Sequence, residues 1–589
     1  MTNLLRLART LRHTRSRQIA ARLVLLGRRK CRERAASLGL GPGNWYGAPA
    51  PSRRASTPIG PVIPKHATAA KLPREVDLVG TRWIVDVGMD WTAPSLDRGT
   101  YLEKLHLHYM DYLDGLSADD AAQLMVDWIR MVPPFSVNNW RHSWNSFALS
   151  TRVVSWVDVM SAQIGKIAAP LLLEIEQSVA AQARFLVSNL EHDIGGNHLL
   201  RNLRALMRAA SYFKGDEPER WARKAVRQLD IELSEQILPD GMHFELSPSY
   251  HLQVMEDLLD IHRSLGSIAG DRSDHSRARV AERLAKMATI AQYFTHPDGL
   301  PSQFADGGLH MAASPNDVLE ALERQGVLPQ STPRRVLGPW QLTDAGYVGF
   351  SGESESVIVD CGQVGAGHLP AHGHGDALAL EWSVSGQRLL VDQGVFEYHA
   401  GPKREVARST ASHNTVTVDD LDQSEFWASF RVGQRAKVTV HEWQVAEDGF
   451  VLEASHDGYL RLAGAPTHIR RIEYRSGRIA VEDRIDSDDG HLARGRLLFA
   501  PEVQVGPVEN LESGGMQVML RLPTVSTDGL PSLFRFVSSA PMRIEDAVWW
   551  SDLGQSVATR RVVMEIGVAP CSARWSIEPS ESLAVDCGQ

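Results

Sequence analysis

Apolar residues recur at every third or fourth position through much of the first half of the chain. This spacing places them along one side of an α-helix. It predicts helices over Ala121–Met131, Gln163–Asn189, Leu199–Ala210, Arg220–Ile237, Leu252–Leu265 and Ser276–Phe294. Because strand-like runs do not intervene between these segments, we expect antiparallel helix pairs that together form an all-α domain.

After Pro339 the pattern changes to short apolar or alternating runs separated by Gly, Asp and Ser turns. Runs of this kind are typical of β-strands. The predicted strands are Tyr347–Phe350, Ser356–Cys361, Leu378–Val384, Thr415–Val418, Ala436–Val440, Phe450–Ala454, Ile469–Tyr474, Ile479–Arg484, Gln517–Leu522 and Arg561–Ile566. A long series of short strands joined by local turns predicts an antiparallel β-sandwich.

These patterns divide the chain of 589 residues into three parts. Residues 1–65 are predicted to form a basic arm and a linker rich in Pro, Gly and Ser. Residues 66–335 are predicted to form the all-α domain, and residues 340–589 the β-sandwich. The fold class is therefore α+β multidomain, which agrees with a chain too long for one ordinary core.

The N-terminal arm combines strong positive charge with interleaved leucines. Residues 3–35 contain eleven Lys and Arg and one acid, Glu33. The longest apolar run, Leu23–Leu26, is too short for a signal peptide or a membrane span. A basic amphipathic helix would contact anionic lipid, whereas an arm folded back through Gly41–Lys65 would pack on the body. We favour packing, because the arginines and leucines alternate without a clean apolar face.

Charge and cysteine content exclude some classes of function. The formal net charge is −9, so the molecule as a whole is not expected to bind nucleic acid by electrostatics. The four cysteines are far apart and none lies in a CxxC pair, which predicts neither a disulfide framework nor a cysteine zinc site.

Histidines and aspartates cluster in the predicted β-sandwich, in three short segments: His368–Asp376, Val391–Gly394 and Ser409–Thr415. His372 and His374 are two residues apart, so on an extended chain both side chains point the same way. A sheet would bring them near the acid and histidine of the other two segments, Asp392 and His413. Such groups suit a zinc ion or a proton-transfer site; the alternative is a set of surface-loop histidines.

The predicted helical half contains a second polar cluster. Asn197 and His198 open a helix, where backbone N–H groups favour an anion such as a carboxylate. The segment Asp240–His251 contains a turn glycine, a proline suited to a helix start, and then Tyr250. The alternative is that these polar residues only cap helices. A third run, at residues 139–145, is a candidate wall of a sugar subsite or, equally, buried helix packing.

These motifs together resemble the heparinase II/III-like polysaccharide lyases. The resemblance rests on Gly-Asn-His-Leu-Leu at 196–200, Asp-Gly-x-His-x-Glu-x-Ser-Pro-x-Tyr-His at 240–251, His-x-His-x-Asp at 372–376, Val-Asp-Gln-Gly at 391–394, Arg-Ser-Thr-x-x-His-Asn-Thr at 408–415 and Glu-Phe-Trp-x-x-Phe-Arg at 425–431. It implies an α/α toroid, an incomplete barrel of helix pairs, followed by a C-terminal β-sandwich. It also implies β-elimination from an acidic polysaccharide that contains uronic acid.

The resemblance implies specific roles for residues of these motifs. Asn197 or His198 would neutralise the uronate carboxylate, and Tyr250 and His372 would transfer protons. Zinc in a structural role would be held by His374, Asp392 and His413, without an organic cofactor. The substrate-binding set that we predict beside them is Trp140, Arg141, Trp144, His243, Glu245 and Arg408.

The chemistry of elimination explains why such residue types are needed. The C5 proton of a uronate becomes acidic only when the neighbouring carboxylate is neutralised. A base must then reach C5, and an acid must reach the bridging oxygen. A tyrosine titrates near ~10 in water, so Tyr250 serves as a base only beside positive charge, or else it is the acid. Which of Tyr250 and His372 is the base stays open.

Two rival functions remain at this level. One is a zinc-dependent glycan hydrolase that activates water at the same histidines. The other is a non-catalytic glycan-binding or exopolysaccharide-assembly protein that keeps the fold. A recognisable signal peptide or membrane span is lacking, so the bacterial envelope, periplasm and cytoplasm all stay open. The expected partner is an acidic polysaccharide; membrane contact through residues 1–40 is not favoured, and the sequence allows a homodimer.

Overall fold

The computed structural model describes residues 2–40, 46–55, 60–63, 69–92, 100–134, 141–268, 270–523 and 533–580. A helical N-terminal half is followed by a C-terminal half of antiparallel sheets. The fold class predicted from the sequence, a toroid of helix pairs joined to a β-sandwich, is confirmed. The helical half ends with α11 at Arg324, and the first strand of the sheet region begins at Gly338; the exact domain limits stay a prediction.

The helices described here run in pairs along the chain. They are α1 Thr2–Leu11, α2 Ser16–Ser37, α3 Tyr101–Leu107, α4 Ala118–Met131, α5 Ser146–Gln163, α6 Ala169–Val187, α7 Gly196–Tyr212, α8 Asp216–Gln236, α9 Pro248–Leu265, α10 Asp271–Tyr293, α11 Pro315–Arg324 and α12 Pro402–Arg408. Helix α7 packs against α5, α8 and α9, so its apolar face lies at the centre of the helical core. None of the helices in the described ranges has the length and apolarity that a membrane crossing requires.

Two sequence predictions in the helical half need correction. The helix predicted over Gln163–Asn189 begins later than expected: α5 ends at Gln163, and the next helix, α6, begins at Ala169 with Pro170 in its first turn. The predicted all-α segment also contains a hairpin of β1 and β2, at Arg74–Leu78 and Thr81–Val85. In β1 exposed and buried positions alternate, as is typical of a strand, so the prediction of an all-α segment is wrong at this place.

The C-terminal half contains three larger antiparallel sheets. Its strands are β3 Gly338–Leu342, β4 Tyr347–Ser351, β5 Ser356–Asp360, β6 Leu380–Val384, β7 Gln387–Leu390, β8 Val416–Val418, β9 Phe426–Trp427, β10 Arg431–Val432, β11 Val438–Ala446, β12 Gly449–His456, β13 Thr467–Arg475, β14 Arg478–Asp486, β15 Leu492–Leu498, β16 Gln504–Asn510, β17 Met516–Arg521, β18 Leu533–Ser538, β19 Met542–Trp549, β20 Val557–Val568 and β21 Cys571–Pro579.

One apolar core joins these sheets into a sandwich. The largest sheet has the order β11-β12-β13-β14-β21-β18-β17-β16, and the others are β3-β4-β5-β6-β7 and β19-β20-β15-β8. In β13 and β14 buried and exposed residues alternate, so each strand contributes every second side chain to the core. The core shares residues from all three sheets, which fixes the loops at their edges against the helical half.

The N-terminal arm lies across both halves of the molecule. Thr10 of α1 receives a hydrogen bond from the indole of Trp427 in the β9–β10 hairpin. On α2, Gln18 donates to the carbonyl of Ile194 in the helical half, and Leu25 is buried. The arm therefore packs on the body, as favoured from the sequence, but it contacts the sheets as well as the helices.

Two neighbouring leucines of α2 provide a test of this docking. Leu25 is 5% exposed and Leu23 is 66% exposed. We expect Leu25→Ala to weaken docking by about 2 kcal/mol, because the cavity left behind adds to the lost burial. Limited proteolysis within residues 2–40 should then be at least about tenfold faster than in the wild type. Leu23→Ala is the matched control and should leave the rate unchanged; equal rates in the two variants would contradict the docked arm.

Candidate active site

The candidate site lies where the helical half meets the sheets. A segment between β5 and β6 carries His372 and His374. The first turn of α9 carries Tyr250, and the first turn of α7 carries Asn197 and His198. The two polar clusters predicted from the sequence are therefore brought together, although they lie far apart along the chain.

Local sequence fixes where the two helices begin. The Ser247 hydroxyl caps α9 by accepting a hydrogen bond from the Tyr250 N–H, and Pro248 occupies the first turn. Helix α7 begins at Gly196, whose φ is 55°. A Cβ there would lie 2.3 Å from Glu245 Oε1, so only glycine lets the start of α7 approach this carboxylate.

A buried carboxylate, Asp306, organises the centre of the site. Its Oδ2 accepts a hydrogen bond of 2.7 Å from His372 Nδ1, and its Oδ1 accepts one of 2.8 Å from His374 Nε2. The guanidinium of Arg404 contacts both oxygens, with Nη2 at 3.0 Å from Oδ2. A single aspartate thus orients two histidines and a buried arginine.

The surroundings of Asp306 keep it ionised. Burial acts to raise its pKa, but the charge of Arg404 and the hydrogen bonds from His372 and His374 outweigh burial and hold the pKa well below its usual range. Since the carboxylate only accepts, the proton of each bonded histidine nitrogen stays on the ring. His372 consequently presents Nε2 to the other side of the site.

Tyr250 lies directly on the ring of His372. The two rings are stacked with centroids 3.9 Å apart, and the Tyr250 hydroxyl donates to the hydroxyl of Tyr398 at 3.1 Å. Burial, followed by the negative charge of Asp306, raises the pKa of Tyr250. The phenol is therefore neutral in the resting protein. Phe430, which is exposed, forms an adjacent aromatic face.

The start of α7 presents a positive group to the same space. His198 is partly exposed, and its Nδ1 lies 3.2 Å from the buried carboxylate of Glu191. Burial lowers the pKa of His198, but the charge and hydrogen bond of Glu191 more than offset burial, so the pKa is raised. Asn197 is buried beside it at the positive end of the helix. This corner can receive an anion.

Glu245 connects this corner to the catalytic histidine candidate. Its Oε1 accepts a hydrogen bond of 3.0 Å from the Asn197 N–H, and its Oε2 lies 3.1 Å from His372 Nε2. Glu245 is buried, so it positions these groups rather than meeting a polysaccharide from solvent. It was predicted from the sequence as a substrate-binding residue, and the structure places it behind that surface.

A second buried cluster lies beneath the site. His374, Asp376 and His413 each offer one atom, and these atoms lie within 4.8 Å of one another. The Nε2 of His374 is used by Asp306, and burial lowers the pKa of His374 to about 3, so Nδ1 carries a free lone pair. This Nδ1 and the Nε2 of His413 are buried without a hydrogen-bond partner. Two orphaned imidazole nitrogens beside a carboxylate form a donor set that fits a divalent metal such as zinc.

Asp392 lies against His413, beside the three grouped atoms. Its Oδ2 accepts a hydrogen bond of 2.6 Å from His413 Nδ1, and its Oδ1 accepts from the Gly394 N–H. Burial lowers the pKa of His413, but Asp392 outweighs burial and raises it to about 9. In the structure Asp392 therefore orients a candidate ligand, and Asp376 offers an atom to the same cluster; Asp392 as a metal ligand stays a prediction.

The predicted substrate-binding residues divide into separate groups. Trp144 and His243 are buried, Trp144 against other aromatic rings and His243 beside Gln236. Arg408 is also buried and donates to the carbonyl of Gly373, which fixes the loop between the two histidines. Arg141 is exposed. Trp140 lies outside the described residues.

Three groups of the site have no strong signal in the sequence. Asp306 lies in the segment Gln303–Gly308, which reads as a turn, and Tyr398 and Arg404 lie near a short helix, α12. Each belongs to a segment without periodicity or a metal-ligand spacing. A buried acid can be identified as an organising residue only when its partners, which come from two separate segments, are placed in space.

Replacing Asp306 tests its organising role. Asp306→Asn leaves the buried Arg404 without its counter-charge, which costs about 3–5 kcal/mol for a broken buried pair. We expect a lower free energy of unfolding by that amount in chemical denaturation. Asp419→Asn is the matched control, since Asp419 also accepts from a histidine, His491, but at the surface, and it should cost at most about 1 kcal/mol. Equal losses in the two variants would show that Asp306 is not an organising group.

Two family models and a curated relative match this chain. The family model described as Heparinase II/III N-terminus matches residues 81–325, and the model described as Heparinase II/III-like, C-terminal, matches residues 334–578. Among curated proteins, a heparin-sulfate lyase of Pedobacter heparinus is 26% identical over 320 residues, which are 50% of this chain and 47% of that protein. The chain thus aligns with about half the length of this relative.

A further relative is not named as a lyase. FtsZ-localized protein C of Caulobacter vibrioides is 25% identical over 426 residues, 68% of this chain and 66% of that protein.

Solved structures show the same fold. Heparinase III matches with a TM-score of 0.65 and 16% identity over 84% of this chain and 79% of its own. The heparan sulfate lyase HepC of Pedobacter heparinus matches with a TM-score of 0.57 and 18% identity over 96% of this chain and 88% of its own. At these identities the likeness establishes the architecture. The two family models together span both halves of the molecule, and the chain belongs to the heparinase II/III family.

Proposed function

We propose that the protein is a polysaccharide lyase that cleaves a polysaccharide containing uronic acid by β-elimination. The observation that carries the proposal is the Tyr250–His372 stack, which lies beside a cationic corner at the start of α7. Relatives named heparin-sulfate lyases support a glycosaminoglycan of the heparan sulfate class as the first substrate to test.

The cationic corner would activate the substrate. The raised pKa of His198 favours its charged form, and Asn197 adds an amide at the positive end of α7. Both would bind the uronate carboxylate and stabilise the enediolate that forms when the C5 proton leaves. Glu191, which holds His198, is buried on the far side of the ring from solvent and so does not compete for the substrate.

The proton transfers follow from the two aromatic side chains. His372, whose Nδ1 proton is held by Asp306, would remove the C5 proton with Nε2 after this nitrogen exchanges its contact with Glu245 for the substrate. The C4–O bond then breaks, a C4–C5 double bond forms, and the neutral phenol of Tyr250 would give its proton to the departing oxygen. Glu245, 3.1 Å from Nε2, would stabilise the imidazolium that results.

We also propose a structural zinc ion at His374, Asp376 and His413, with Asp392 orienting His413. The orphaned imidazole nitrogens and the burial of all three ligands support this role. A bound zinc would supply positive charge among the buried carboxylates. Burial and neighbouring acids otherwise raise the pKa of Asp376. The enclosure of the cluster disfavours the rival zinc hydrolase, which needs a metal open to water and substrate.

The second candidate function is a non-catalytic protein that binds or assembles glycans. The similarity to FtsZ-localized protein C, over 68% of this chain, favours keeping this candidate. A panel of heparan sulfate, hyaluronan, chondroitin, alginate and bacterial exopolysaccharides separates the two. A lyase produces an unsaturated uronate that absorbs in the ultraviolet, whereas binding or hydrolysis does not produce this absorbance. Binding without product formation across the panel would contradict the lyase.

Tyr250→Phe removes only the phenol oxygen from the stack. We expect kcat on the best substrate of the panel to fall by at least about 100-fold, because general acid catalysis typically contributes that much. The melting temperature should change little. Tyr212→Phe is the control: it removes a hydroxyl bonded to Glu176, in the helical half, and should leave kcat unchanged. A near-normal kcat in Tyr250→Phe would exclude Tyr250 from the reaction.

Metal analysis tests the zinc site and its assignment. His374→Ala and His413→Ala should lose the metal and lower the melting temperature, because bound metal stabilises the native state. Asp376→Asn should abolish binding, while Asp392→Asn, which only orients a ligand, should weaken affinity by roughly 10–100-fold. The reverse order for the two aspartates would restore the ligand set predicted from the sequence. A wild-type protein without zinc after supplementation would contradict the site.

A further inference from the structure

Helix α2 presents an apolar stripe on its outward side. Ile19, Leu23, Val24 and Leu26 lie within two turns and are 40–66% exposed in the structure. Large apolar side chains exposed singly are ordinary, but four within two turns of one helix mark an interaction surface. We refer to these four residues as the α2 stripe.

The opposite side of α2 is fastened to the body. Arg15 and Arg17 pair with Glu235 of α8, and Arg22 lies 3.5 Å from Asp193. The buried contacts of α2 come from Gln18 and Leu25, whereas the arginines of these ion pairs are 38–60% exposed. These contacts leave the α2 stripe facing away from the protein.

The charge of the molecule is strongly segregated. Residues 2–40 contain eleven Lys and Arg and one acid, a charge of +10, while the whole chain is −9, so the remainder carries −19. Lys30 and Arg34 extend the exposed side of α2 beyond the stripe. A cationic surface on an acidic protein is directed toward an anionic partner.

A basic groove on α8 continues this surface. It has a volume of about 460 Å³ and is lined by Arg220, Arg223, Lys224, Arg227, Gln228 and Ile231. The two helices are adjacent, because Arg28 of α2 and Lys224 of α8 donate to neighbouring carbonyls, those of Ser188 and Val187 respectively. Ile231 is 45% exposed and adds an apolar side chain to the groove.

We propose that the α2 stripe and the α8 groove form a docking surface for an anionic lipid bilayer. A helix with apolar residues on one side and flanking Lys and Arg lies in the plane of a membrane surface, with the apolar side chains among the acyl chains and the cations near the headgroups. A soluble polyanion would use the cations but gives the α2 stripe no apolar contact. The four exposed apolar residues therefore select lipid over glycan.

Vesicle flotation with the full-length protein tests the surface. The probes are vesicles of phosphatidylcholine alone and of phosphatidylcholine mixed with phosphatidylglycerol, each at low and high salt. We expect the wild type to bind the mixed vesicles, with weaker binding at high salt. Leu23→Glu/Leu26→Glu should abolish binding. Lys30→Glu/Arg34→Glu should lower the partition coefficient at least about tenfold, since each basic residue contributes about 1 kcal/mol near such a surface.

Leu173→Glu is the matched control, because Leu173 is 54% exposed near the start of α6, whereas Arg32 of α2 lies over Phe185 near the end of α6. It should bind vesicles as the wild type does, and all variants should keep the wild-type melting temperature. The proposal is overturned if the wild type fails to bind the mixed vesicles at low salt, or if the double-leucine variant binds them normally. Binding of soluble heparin through Lys30 and Arg34 without vesicle binding would assign the surface to a glycan instead.

Discussion

The arrangement of the site depends on one buried carboxylate. Asp306 lies in the segment between α10 and α11, and it accepts hydrogen bonds from His372, His374 and Arg404. Its backbone N–H also donates to the carbonyl of His372. A buried carboxylate without these donors would be strongly unfavourable, so the charge requires the surrounding groups to adopt one geometry. The relative position of the two halves of the protein is thereby defined at the residue where the chemistry is proposed to occur.

This constraint couples the buried histidine cluster to the proposed proton transfer. His374 contacts Asp306 with one nitrogen and faces the proposed metal with the other. His372 bonds the same carboxylate through its Nδ1. A metal ion need not touch the substrate to influence the reaction, because it fixes the segment that carries both histidines. Arg408 donates to the carbonyl of Gly373, between the two histidines, and so holds the same segment in place. The proposed structural and catalytic roles thus fall to neighbouring residues of one short segment.

Much of the architecture could be predicted from periodicity, because helix and strand patterns reflect which residues are buried. The change from the helical to the strand pattern near Pro339 coincides with the start of β3. Residues in motifs, such as Tyr250 and His372, were found because their types suggest chemistry. Asp306 could not be found in this way, since its importance arises from partners distant in sequence. The acids near the histidines show the same limit: spacing indicates that Asp376 and Asp392 are close, but not which of their atoms point inward.

The arm illustrates how two interpretations of one sequence can describe two sides of the same helix. The alternating arginines and leucines give the isolated helix no clean apolar face. Docking on the body buries one side of the helix and thereby decides which of its residues stay exposed. The arginines that pair with Glu235 and Asp193 attach the arm to the body, while the α2 stripe and Lys30 stay exposed to solvent. A surface that is specified by the fold, rather than by the helix alone, is preformed before any partner arrives. A preformed surface binds without the entropic cost of ordering a free peptide, which makes the docked arm better suited to a membrane surface than a disordered tail of the same composition.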